Sequence, residues 1–139
     1  MKKILICLFL SSNLLGSDDP LILSCKHIKT DFYDHKNNID ETKRNLEPKS
    51  IILDVNKKTA ETSQGKKTFE DRGIEVFWQY KNEVPRTELF SAVNWYWNHT
   101  LDRVSGSYVI EEAFCVEGQS QCSRQDDEYY SCSKEEKLF

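Results

Sequence analysis

Apolar residues in this chain recur at every second position more often than at every third or fourth, which is the spacing of strands. Leu21, Leu23 and Cys25 alternate with Ile22, Ser24 and Lys26 and predict a first strand. Ile51, Leu53 and Val55 share one face of another. Asn56, Lys57 and Lys58 form a polar turn, and a Thr-rich strand is read over 59–64. From Gly73 to Tyr80, Ile74, Val76, Trp78 and Tyr80 fall on one face. Glu75 and Gln79 fall on the other, and Phe77 breaks the pattern. Turn signals at 82–85 come next. Then Leu89, Val93, Trp95 and Trp97 share one face of a strand, with Phe90, Ala92 and Tyr96 on the other. Gly106 marks a turn or bulge, and residues 107–115 and 129–133 read as further strands. Residues 31–48 are polar and are read as a long loop, or as a loop holding a short helix over 39–46.

Short strands separated by turn signals, with no strand–helix alternation, indicate an all-β fold. The expected architecture is a small antiparallel meander closing into a barrel, with at most one short helix.

The chain opens differently. Lys2 and Lys3 precede an apolar run from Ile4 to Leu10, extended by Leu14 and Leu15 and followed by the small residues Gly16 and Ser17. This is the order of parts in a secretory signal peptide. It resembles a bacterial export signal. The division expected is a signal over 1–17 and one β-rich domain over 18–139, located in the periplasm or secreted. The run is shorter than the roughly 20 apolar residues that span a bilayer, and no later stretch is long enough. A retained N-terminal anchor is the alternative. Cys7 lies inside the run and is read as part of the signal.

Without Lys2 and Lys3 the chain carries 17 basic and 23 acidic residues, a formal net charge of −6. An acidic chain with no basic stripe argues against nucleic acid and against anionic membrane surfaces.

Export changes how the cysteines are read, because thiols outside the cytosol are oxidised. Cys25, Cys115, Cys122 and Cys132 remain after cleavage, and four cysteines allow three pairings. Cys115 and Cys122 flank a segment short enough to fold back as a hairpin. Cys25 and Cys132 would then join the first and last strands, neighbours if a meander closes. Zinc is the rival use, but no Cys-x-x-Cys or His pair at ligand spacing occurs. Asp31, Asp34 and His35 form a polar cluster read as solvated loop.

Catalytic patterns are missing. The sequence has no Gly-x-Ser-x-Gly elbow and no phosphate-cradling glycine loop. The clusters Glu111-Glu112 and Asp126-Asp127-Glu128 are read as solvated charge, because neighbours on a strand face opposite sides. No cofactor or metal is expected. Asn98-His99-Thr100 matches a glycosylation acceptor and is read as coincidence in a bacterial chain. The most suggestive cluster is Trp78, Tyr80, Trp95, Tyr96 and Trp97. These residues can line a ligand cavity or form the core of a small β protein, and the core reading is preferred, with Trp78 and Trp95 buried on neighbouring strands. Asp102, Arg103 and Gly106 are read as a turn.

Two stretches carry resemblances. Leu101-Asp102-Arg103-Val104-Ser105-Gly106-Ser107-Tyr108 follows an aromatic strand and precedes a Cys-containing tail ending Lys137-Leu138-Phe139. It resembles a pattern in small exported bacterial β-rich proteins of unknown function. That implies a compact β domain and no particular activity. Cys115 and Cys122 and the polar insertion at 31–48 depart from the pattern. Separately, Gly73-Ile74-Glu75-Val76-Phe77-Trp78, with Cys25 early and Cys132 late, resembles the periplasmic inhibitors of C-type lysozyme, which are small disulfide-linked β-barrels. No inhibitory loop carries over.

The functional expectation is a non-catalytic binding module for a small apolar ligand or an envelope protein. The alternative is an inhibitor or interaction module. A deep aromatic pocket favours the former, and a filled barrel with a protruding loop favours the latter.

Overall fold

The computed structural model describes residues 19–135, so the expected signal over 1–17 and the residues Leu138 and Phe139 lie outside the described part. The fold is all-β. Ten strands run in chain order: β1 (Leu21–Tyr33), β2 (Ile39–Lys43), β3 (Lys49–Asp54), β4 (Thr59–Thr62), β5 (Gly65–Thr68), β6 (Glu70–Arg72), β7 (Glu75–Val84), β8 (Val93–Asp102), β9 (Ser107–Val116) and β10 (Ser123–Lys134). They form one antiparallel sheet in the order β5-β4-β3-β1-β10-β9-β8-β7-β6, and β2 pairs with β1 off that path.

First and last strands are neighbours, and Cys25 sits directly opposite Cys132, to which it is bonded. The sheet curls until its two ends approach. Closure runs through one stretch of chain that changes partner. Residues 65–68 pair with β4, the buried Phe69 turns inward, and residues 70–72 pair with β7. The Tyr80 hydroxyl fastens the seam, donating to the Gly65 carbonyl at 2.5 Å and lying 3.0 Å from Thr62 Oγ1.

Alternation explains which side chains fill the interior. Leu21, Leu23 and Cys25 from β1, Ile51 and Leu53 from β3, Val76, Trp78 and Tyr80 from β7, Leu101 from β8, Tyr108 and Ile110 from β9 and Tyr130 from β10 form the core. Trp78 is 1% exposed and packs against both His99 (5.2 Å) and Tyr108 (5.8 Å).

Three parts of the sequence reading are corrected. No helix forms over 39–46. β1 runs on to Tyr33 and turns back through Asp34–Asn38 into β2, because the Asp34 side chain accepts from the Lys36 and Asn38 N–H groups and Asn37 adopts positive φ. Leu89 and Phe90 are not strand residues. They lie in the 85–92 loop, where Phe90 N–H donates to Thr87 Oγ1 and Thr87 N–H to the Phe90 carbonyl, and both side chains are exposed. Ile74 sits in the turn before β7 and is exposed for the same reason: it precedes the ladder.

Candidate functional site

Strand lengths make the two ends of the barrel different. β3, β4 and β5 have six, four and four residues, whereas β7, β8 and β9 have ten each and β10 has twelve. The long strands therefore continue past the short wall, and their inward-facing positions lose the side chains that would cover them. Trp95 and Trp97 occupy those positions on β8, opposite Phe114 and Glu112 on β9, and Asp126 of β10 faces Glu112. All five side chains are half-buried.

The register divides the expected aromatic cluster into three environments. Trp78 and Tyr80 belong to the core. Trp95 and Trp97 share the inward row but stand at the open end, stacked at 6.5 Å, with Phe114 4.9 Å from Trp95. Tyr96 points to the opposite face, where Lys81 lies 5.6 Å from its ring. The expectation that Trp95 is buried like Trp78 is thereby corrected. It alternates correctly but lies beyond the reach of β3–β5.

The same register assembles what the sequence keeps apart. Glu111-Glu112 and Asp126-Asp127-Glu128 lie on paired strands. Asp126 thus meets Glu112 on the inner face, and Asp127 meets Glu111 on the outer. The two faces are treated differently. On the outer face, Asp127 accepts from the Tyr33 hydroxyl at 2.6 Å and pairs with Arg124, whose guanidinium lies over the Tyr33 ring. Asp31, its partner on β1, is paired with Lys29 at 3.0 Å and accepts from Thr42 at 2.8 Å. Those hydrogen bonds hold the Asp31 carboxyl below its ordinary range. Asp31, read as loop, is a buried strand residue, so this network is structural.

On the inner face the carboxyls have no cation of their own, and Glu112 and Asp126 hydrogen-bond each other. Burial, then the nearby Glu112 and Glu128 carboxylates, push the Asp126 carboxyl up to about 7. Burial also raises Glu112, opposed by a hydrogen bond from the Trp97 side chain. Among the described residues neither Glu112 nor Asp126 has an ion pair. Lys49, the cation that acts on both, is held 3.2 Å from Glu128.

Lys49 also borders a cavity of about 370 Å³ at the lip of the short wall, with Glu61, Thr62, Gln64, His99, Tyr108 and Ile110. Burial, then Lys49, depress the His99 imidazole to about 3, so the ring is neutral. Its Nδ1 accepts from the Tyr108 hydroxyl at 2.5 Å, and its Nε2–H donates to Gln64 Oε1 at 2.9 Å. A second cavity, about 250 Å³, lies at the other end beside Leu21, Leu23 and the Asp102–Gly106 turn. There Asp102 Oδ1 accepts from the Val104 and Ser105 N–H groups, and Arg103 bonds Asp71 and the Gly73 carbonyl. Gly106, at φ +76°, accepts from Cys132 N–H at 2.8 Å.

Three loops rim the open end: 34–38, 85–92 and 117–122. The last is closed by the Cys115–Cys122 disulfide. Glu117 ties it to its neighbour, donating its N–H to the Ala92 carbonyl. The 85–92 loop presents Leu89 and Phe90, 85% and 73% exposed.

Sequence reasoning missed Glu112, Phe114, Asp126 and His99. The acidic runs Glu111-Glu112 and Asp126-Asp127-Glu128 were the available signal, but only the register places them together. This arrangement can seat an apolar group on aromatic faces, hold a proton near neutrality and receive a positive charge. No family model matches the chain, and neither does any curated protein or solved structure. The two motif resemblances therefore rest on their quoted residues alone.

Proposed function

We propose that this protein is an exported, non-catalytic binding module that takes its ligand at the open end of the barrel. The observation carrying this reading is the row Trp95, Trp97 and Phe114, inward-facing yet half-exposed because the opposing wall stops short. Interiors normally exclude such gaps, and ligand sites are lined mainly by apolar and aromatic side chains with a few polar groups. The two disulfides support an oxidising location outside the cytosol. No helix among the described residues is long and apolar enough to cross a membrane. The interaction-module reading has its own support in the filled barrel and in the protruding Leu89–Phe90 tip, which stands on the same rim.

Affinity capture from the native envelope fraction tests the proposal, with wild type and a Trp95→Ala/Trp97→Ala variant as paired baits. A species retained by wild type and lost by the variant is the expected result. Identical retained sets from both baits would refute this location of the site.

A further inference from the structure

We infer that the open end docks a polypeptide segment of another protein that brings a Lys or Arg next to an apolar side chain. This rests on the binding-module reading and specifies its partner. The apolar part of the recognition comes from Trp95, Trp97 and Phe114, which form a continuous aromatic surface, and from Leu89 and Phe90 on the adjoining rim. Stacked aromatic faces also attract ammonium and guanidinium groups.

Charge complementarity decides the sign of the partner. Glu112 and Asp126 lie side by side within the aromatic row, with no ion pair of their own among the described residues. Glu128 holds the Lys49 ammonium, and Lys43 lies over the Phe32 ring on β1 at 5.1 Å. The inner face thus offers carboxylates that lack a cation and no cation that lacks a contact. An acidic segment would add charge to Glu112, Asp126 and Glu128. A neutral one would desolvate the two carboxyls further, with only their mutual hydrogen bond and the one from Trp97 to offset it, which is costly. A basic group beside them supplies the cation that the fold does not. The geometry also favours an inserted side chain over an added strand. The free edges beside the open end, β2 and the far part of β7, carry Asp40, Glu41, Lys43, Lys81 and Glu83, the charges that discourage edge pairing.

The charged groups acting on Asp126 are Glu112 from β9, Glu128 on its own strand, Lys49 from β3 and, from the outer face, Asp127. A bound cation favours the ionised carboxylate, so docking releases a proton and strengthens from pH 6 to pH 8.

The test uses the full mature protein and two labelled decapeptides, one alternating Lys with Leu and one alternating Glu with Leu. Binding is followed by anisotropy, and the site is located by shifts of the indole N–H signals. The Lys peptide should bind, moving the Trp95 and Trp97 signals but not that of Trp78. Glu112→Gln/Asp126→Asn should weaken it about tenfold, as should Trp95→Ala, and both variants can be checked for folding by the unmoved Trp78 signal. The Glu peptide should not bind. Equal binding of both peptides, or Lys-peptide binding that survives the charge variant, overturns the inference. Self-association that perturbs the same indoles would assign the face to a second copy and also overturn it. If the Lys peptide fails while capture still depends on Trp95 and Trp97, the basic partner is refuted and the binding module stands.

Discussion

The two disulfides should differ in what they do for stability. Cys25–Cys132 closes a loop with a sequence separation of 107, and Cys115–Cys122 one of 7. In the chain-entropy model these restrict the unfolded chain by about 5 and about 2 kcal/mol respectively. Burial acts in the same direction, since Cys25 is wholly buried and its removal also opens space in the core. Cys25→Ala/Cys132→Ala should therefore lose about 2–3 kcal/mol more than Cys115→Ala/Cys122→Ala. At a typical urea dependence that is a midpoint lower by about 1–2 M. The assay is urea denaturation of both double variants, read by Trp fluorescence and far-ultraviolet circular dichroism. Equal midpoints, or a lower midpoint for the Cys115/Cys122 variant, would refute the claim that joining the chain ends is the dominant constraint. It would point instead to an unfolded state that the short loop restrains more than its length implies.

Other substitutions probe the core, the turn and the open end. Trp78→Ala should cost about 3–5 kcal/mol, and iodide should quench Trp95 and Trp97 while sparing Trp78, as read from single-Trp variants. Gly106→Ala should cost more than the roughly 1–2 kcal/mol of a left-handed backbone, because its Cβ would collide with the Cys132 carbonyl oxygen; an unchanged melting temperature would contradict this. Removing Cys115–Cys122 should speed hydrogen exchange over 117–122 with little change in β1 or β10. Asp126 has a folded pKa of about 7 against an ordinary 3.8, so the native state holds the proton more tightly. Stability should then fall as pH rises between about 4 and 7. The ceiling is about 4 kcal/mol at 1.4 kcal/mol per unit, and about half that with water on the open side. Asp126→Asn should flatten this slope; an unaltered pH profile would show that the carboxylate is not desolvated.

Much of the barrel was legible because period-two alternation reports burial on one face. Leu21, Leu23 and Cys25, Ile51 and Leu53, and Val76, Trp78 and Tyr80 all read correctly as inward rows. β2 and β6 were not legible. Ile39–Lys43 and Glu70–Arg72 are exposed throughout, so no apolar row marks them, and they exist because their neighbours' edges are available. Leu89 and Phe90 misled for the opposite reason, since they are apolar but belong to a loop held by Thr87. His99 was invisible as a lone histidine; its burial follows from Trp78, Tyr80 and Tyr108 packing around it. The acids were the largest loss. Glu111, Glu112, Asp126 and Asp127 look like solvent-facing charge in sequence, and only the β9–β10 register sorts them into Glu111 beside an Asp127 that is paired with Arg124 outside, and Glu112 against Asp126 with no cation inside.

That sorting follows from the difference in strand length. A barrel whose walls were all as short as β3–β5 would end near His99 and Ile110 and present a closed interior. One whose walls were all as long as β7–β10 would bury Trp95 and Phe114 as further core. The observed mixture leaves a row of side chains with the alternation of an interior and the exposure of a surface. Glu112 and Asp126 are placed in that row, where partial burial acts against their charge, while Asp31 and Asp127 receive Lys29, Thr42, Tyr33 and Arg124. Desolvated carboxylates without a cation lower stability at neutral pH, and Asn or Gln would fit the same positions without that cost. Native sequences break local rules mostly where function requires it. The carboxylates of the inner face therefore support the proposed site at the open end more specifically than its aromatics do, since aromatics also serve the core.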